Sequence, residues 1–123
     1  MLARGIGHNI RVMRAIRHIL IANELASYRE SIAAVFRVSL PDLDVYEAES
    51  ADLNREVVRI RPDLVICSRI TPLVEDRVPN WIELYPDCEA YSTFHVDGER
   101  STTERVELSD LLSVVERSFA RTA

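Results

Sequence analysis

Arg61–Pro72, RPDLVICSRITP, is the stretch whose reading decides the fold. Pro62-Asp63 stops whatever precedes it, Leu64–Cys67 is an unbroken apolar run, and Ser68-Arg69 ends that run abruptly. A short apolar run between turn signals predicts a strand covered on both faces, as in a parallel sheet. Such sheets collect ligands and chemistry just past the carboxyl ends of their strands. Ser68 and Arg69 therefore stand at a candidate site.

Working outward, the same pattern recurs toward the amino terminus. HILIA, His18–Ala22, is a second short apolar run, closed by Asn23-Glu24. Leu25, Tyr28, Ile32, Val35 and Phe36 then fall on one helical stripe, which Pro41 ends. Ser27 and Glu30 have the spacing of a capping box at its start. Leu43–Glu49 alternates apolar with polar and predicts a strand near an edge. Ser50–Arg61 predicts a short helix, with Ser50 as cap and Leu53, Val57 and Ile60 facing inward. The order up to Cys67 is β-α-β-α-β with short connections, the signature of a parallel sheet with right-handed crossovers.

Beyond Ser68 the pattern changes. Thr71–Asn80 contains Pro72 and Pro79 and is too broken for a full covering helix. Trp81–Tyr85 alternates, Pro86-Asp87 is a turn signal, and Ala90–Val96 alternates again, which predicts an antiparallel hairpin of half-exposed strands. Asp97–Glu104 reads as a polar loop. A last helix, capped by Ser109, carries the stripe Leu111, Leu112, Val115 and Phe119.

Composition narrows the function classes. The chain has 123 residues, the length of one domain, with 47% hydrophobic and 28% charged residues. No run approaches the length needed to span a membrane, and the amino terminus lacks a signal-peptide pattern, so a cytoplasmic protein is expected. Cys67 and Cys88 are too few and too far apart for a disulfide framework. Residues 1–18 hold Arg4, Arg11, Arg14 and Arg17 and no acid, while the net charge is −5. This basic lead, residues 1–17, reads as an extension before a domain spanning 18–123. It is either helical over Ile10–Ile16 or an artefact of a start that belongs at Met13. The acidic body argues against nucleic-acid binding, which needs a cationic face. All 15 basic residues are Arg and none is Lys. That absence excludes Schiff-base catalysis and a P-loop lysine.

HILIANELASYRESIAAVF, RPDLVICSRITP and VELSDLLSVVERS, in that order, resemble a bacterial response-regulator receiver domain. In that family the first strand ends in an acidic pair and the third reads PDLV-x-x-Asp-x-x-x-Pro. The resemblance implies a flavodoxin-like α/β sheet of order 2-1-3-4-5. Combined with the hairpin, this gives four parallel strands, a fifth antiparallel one, and reduced helices after strands three and four. Receivers phosphorylate the aspartate of the third strand with Mg²⁺ held by the acidic pair and a lysine completing the site. Matched by position, the acidic pair falls on Asn23 and Glu24, the phosphoacceptor on Ser68, and the lysine on nothing. A serine hydroxyl needs a base, and one carboxylate is a poor Mg²⁺ site. The resemblance therefore implies a pseudo-receiver, a non-catalytic signalling and regulatory module independent of phosphorylation, with neither metal nor cofactor. Asn23, Glu24, Ser68 and Arg69 would be its vestigial pocket. The competing class is a small-ligand sensor or cryptic enzyme using the same crevice near Glu24 and Ser68.

Other candidates carry bland readings. Ser68 lies in no Gly-x-Ser-x-Gly elbow and reads as a polar cap on a strand end. Cys67 reads as a small buried hydrophobe. His8, His18 and His95 with the two cysteines lack metal-ligand spacing, and Gly5-Ile6-Gly7 lacks a dinucleotide-binding context. Trp81, Tyr85, Tyr91 and Phe94 are expected on strands with too little helical cover, forming an interaction surface for a homodimer or an unidentified protein.

Overall fold

The computed structural model describes residues 16–86 and 89–121, with side chains through Arg117. The basic lead up to Ala15, the helix expected from Ile10, His8, the Gly5–Gly7 pair, Cys88 and the side chain of Phe119 lie outside the described residues. The fold is mixed α/β. Its strands are β1 (His18–Ala22), β2 (Asp44–Glu47), β3 (Leu64–Cys67), β4 (Asn80–Glu83), β5 (Tyr91–Val96) and β6 (Glu99–Glu104). Its helices are α1 (Ala26–Ser39), α2 (Leu53–Ile60), α3 (Pro72–Arg77) and α4 (Leu108–Arg121), with a 3-10 turn at Ser50–Asp52 before α2. The strands form one sheet in the order β2-β1-β3-β4-β5-β6. β1 to β4 are parallel, and β5 and β6 run antiparallel to their neighbours.

Strand alternation divides the core in two. Ile19, Ile21, Leu64, Ile66, Ile82 and Phe94 point to one face, under Ile32, Ala33 and Phe36 of α1 and Leu111, Val114 and Val115 of α4. Leu20, Ala22, Val65, Cys67 and Trp81 point to the other, under Leu53 and Val57 of α2 and Val74 of α3. β1 and β3 are buried on both faces because helices cover both.

Five details correct the sequence reading. The sheet has six strands rather than five, because Glu99–Glu104 is a strand and not a loop. Asp97 and Gly98 both have positive φ, 55° and 82°, which makes a two-residue hairpin turn whose twist matches the strands. β4 begins at Asn80 and stops at Glu83, leaving Leu84 and Tyr85 beyond it. The capping box at Ser27 and Glu30 does not form; α1 has Leu25 at its cap position with no side-chain bond, and the Arg29 guanidinium instead donates to the Asn23 carbonyl at 2.9 Å. Ser50 starts the 3-10 turn and makes no side-chain cap bond, and α4 starts one residue before Ser109. There the Asp110 carboxylate accepts the Glu107 N–H at 2.8 Å.

The Pro-Asp step of the opening stretch has a structural task. Asp63 is buried, and one carboxylate oxygen accepts the N–H groups of Arg17 (2.9 Å) and His18 (3.0 Å) at the start of β1. Its carbonyl accepts the Asn80 side-chain amide at 3.0 Å, and the Asn80 Oδ1 accepts the Asp97 N–H at 2.9 Å. Two buried polar side chains thus tie β1, β3, β4 and the β5–β6 turn together. Removing either leaves buried donors and acceptors unpaired, at about 1–3 kcal/mol each. Asp63→Ala and Asn80→Ala should each lower the unfolding free energy by about 2–4 kcal/mol. Asn80 donates to the Asp63 backbone carbonyl, which Asp63→Ala keeps, so the two substitutions break different bonds and their losses should add within about 0.5 kcal/mol. Urea unfolding of the four proteins measures this; single variants as stable as the parent would contradict the structural role of the two side chains.

Candidate functional site

β1 and β3 are adjacent and parallel, with Ala22 opposite Cys67, so Asn23-Glu24 and Ser68-Arg69 emerge side by side. The Glu24 N–H donates to the Ser68 Oγ at 2.8 Å. The tip of β1 is thereby tied to the tip of β3 through the serine. Asn23 is fully buried, and its side-chain amide has no hydrogen-bond partner among the described residues. Glu24 and Arg69 are exposed and Ser68 is half-buried. All four predicted pocket residues therefore gather at the strand tips.

An open crevice of about 370 Å³ borders this point, lined by Glu24, Leu25, Tyr28, Ser68, Leu84, Tyr85, Glu89, Ala90 and Arg105. Its charged groups are two carboxylates and one guanidinium, on separate segments. Sequence reasoning missed Glu89 and Arg105, because they arrive from the turn after β4 and from the end of the unrecognised β6. Tyr85 shapes the wall. With φ of 50°, its N–H donates to the Ser92 Oγ at 2.9 Å and its hydroxyl to the Val106 carbonyl at 2.6 Å. Its ring lies 6.3 Å from that of Tyr28. Tyr28, Leu84 and Tyr85 also border a second, mainly apolar groove of about 290 Å³ between α1 and the start of α4.

On the opposite face, Cys67 is buried and its pKa is pushed up to about 12, chiefly by desolvation and then by the nearby Glu83 carboxylate. A thiol held protonated is neither a nucleophile nor a metal ligand at neutral pH. Glu83 itself accepts the Ile70 N–H at 2.9 Å, fixing the loop after β3. Among the described residues no group of three or more His, Cys, Asp or Glu is placed to hold a metal ion, and no helix is long and apolar enough to cross a membrane.

The expected aromatic patch is largely covered. Trp81 is 4% and Phe94 8% exposed, Tyr85 is half-buried, and Tyr91 is the exposed member at 39%. Phe94 packs into the α1/α4 core. Trp81 packs with Val74 of the short α3 and with Val78 just after it, which supply part of its cover. The His95 ring stacks on it at 5.2 Å, and the Arg100 guanidinium lies 5.1 Å above it while pairing with Glu75 at 3.4 Å. The β6 strand, absent from the sequence reading, supplies that last cover.

Compared with known proteins, the chain matches no family model, no curated relative and no solved structure at significance.

The geometry at Cys67 gives a pH-dependent prediction. Its pKa is raised from 9.0 to about 12 on folding, so the stability it contributes is fully present below pH 9. That contribution is lost as pH rises from about 9 toward 12. In a Cys88→Ser background, Cys67 should resist a thiol reagent at pH 8 until urea unfolds the protein. Full modification of the native protein within minutes would contradict its burial.

Proposed function

We propose that this chain is a receiver-like module without phosphoryl-transfer chemistry, acting in signalling or regulation through contacts with other proteins. One observation carries the reading. At the position where a receiver would present its acceptor carboxylate, this chain has Ser68, whose hydroxyl accepts the Glu24 backbone N–H. Phosphoryl transfer to that point would need a carboxylate or an activated hydroxyl, a cation to neutralise the phosphoryl oxygens, and a lysine or equivalent donor. The chain has no lysine. The sheet order from β2 to β5 and the parallel run of β1 to β4 support the receiver-like reading. The Tyr28–Tyr85 groove supplies apolar surface of the kind that protein partners cover.

A second reading, a sensor of a small polar molecule, is favoured by one feature: the buried Asn23 amide without a partner, beside a crevice lined by Glu24, Ser68, Glu89 and Arg105. Two-dimensional amide NMR separates the readings. Acetyl phosphate with Mg²⁺ should leave the Asn23, Glu24 and Ser68 amides unmoved and add no mass to the protein. Phosphorylated protein would overturn the proposal, and shifts at these amides with a metabolite panel would move the function to the sensor. Ser68→Ala should cost about 1 kcal/mol of stability through loss of the Glu24 bond. It should change nothing in the acetyl phosphate experiment.

A further inference from the structure

β6 is the last strand of the sheet, and all six of its residues are exposed. On the α4 side it overhangs an open cleft of about 480 Å³, and among the described residues no helix covers its edge. The hairpin fixes which backbone groups that edge presents. The turn is the two residues Asp97-Gly98, so Val96 and Glu99 form the hydrogen-bonded closing pair. Alternation then aims the N–H and C=O groups of Glu99, Ser101 and Thr103 at β5. Those of Arg100, Thr102 and Glu104 aim away from the sheet.

We infer that β6 pairs antiparallel with β6 of a second copy of this chain, about a two-fold axis at Thr102. Only registers that set even-numbered residues opposite even-numbered ones join the outward-facing groups. Registers centred on Ser101 and on Thr102 both overlap five residues of the strand, but the one with Thr102 opposite its own equivalent joins three outward-facing pairs and the other only two. That register also sets Arg100 of each copy, which lies over Trp81 and pairs with Glu75 of its own chain, opposite Glu104 of the other, so Glu104 meets a cation and no like charge. Ser101 faces Thr103 across the axis, so no like charges meet within the strand. The strand is therefore complementary to itself in hydrogen bonding and in charge, as a two-fold interface requires. Three narrow pairs, each exchanging two backbone hydrogen bonds, give about six bonds across the axis. The inference rests on the reading of the chain as an interaction module, and it moves the contact from the sheet face, which is covered, to the sheet edge.

The test uses the full chain with Cys88→Ser. Sedimentation should give twice the chain mass at high micromolar concentration. Thr102→Pro removes only an outward N–H and should give the monomer with unchanged circular dichroism. Glu104→Arg should weaken the dimer about tenfold by opposing like charges, and Glu104→Gln, which only removes the charge, should weaken it less. Thr102→Cys should cross-link under mild oxidation, since facing residues of a narrow pair lie about 5.5 Å apart at Cα, within disulfide reach. Ser101→Cys, which faces residue 103, should not. A monomer at all concentrations overturns the inference, as does a dimer that ignores Thr102→Pro or cross-links equally from both cysteine positions. A monomer that stays silent to acetyl phosphate removes the edge dimer and leaves the module reading standing. A phosphorylated dimer does the reverse.

Discussion

Two buried side chains, Asp63 and Asn80, set the relative positions of most of the sheet. Asp63 receives the first backbone N–H groups of β1, and its carbonyl holds the Asn80 amide. Asn80 in turn receives the N–H of Asp97 in the hairpin turn. The start of β1, the start of β3, the start of β4 and the reversal between β5 and β6 are therefore joined at one end of the molecule. Apolar burial supplies most of the stabilisation, but it is non-directional. The polar chain specifies strand register, because a slip at any strand would strand a buried donor or acceptor.

The candidate site lies at the opposite end of the sheet. In this chain the tips of β1 and β3 are bridged by Ser68 and Glu24, and the surrounding crevice mixes tyrosines with scattered charges. The arrangement holds a strand end in place without concentrating charge. On the proposed reading, this suits contact with another molecule better than stabilising a transferring phosphoryl group, which needs charge gathered at one point.

The parallel half of the fold was legible because each element carried one strong periodicity. HILIA and LVIC are unbroken apolar runs, and α1 and α2 are clean stripes ended by Leu40-Pro41 and Arg61-Pro62. β6 was not legible because its sequence, ERSTTE, has no apolar residue and so no burial pattern. The Asp97-Gly98 dipeptide before it was the available signal, since that pair favours a two-residue hairpin whatever follows. Missing β6 also explains the error over Trp81. A tryptophan with only a short α3 above it looks uncovered until Arg100 arrives from the sixth strand. Of the candidate site, Asn23, Glu24, Ser68 and Arg69 could be placed from strand ends alone. Glu89 and Arg105 could not, because Glu89 lies on the irregular connection between β4 and β5 and Arg105 follows the unrecognised β6.

In the proposed dimer, β6 is an edge half satisfied within one chain and half satisfied by another. Amide hydrogen exchange, followed residue by residue at low and high protein concentration, tests this most directly. The amides of Glu99, Ser101 and Thr103 should be protected at every concentration. Those of Arg100, Thr102 and Glu104 should be unprotected when dilute and become protected together as concentration rises. Alternate protection that stays the same at all concentrations would contradict the account and leave β6 as a free edge.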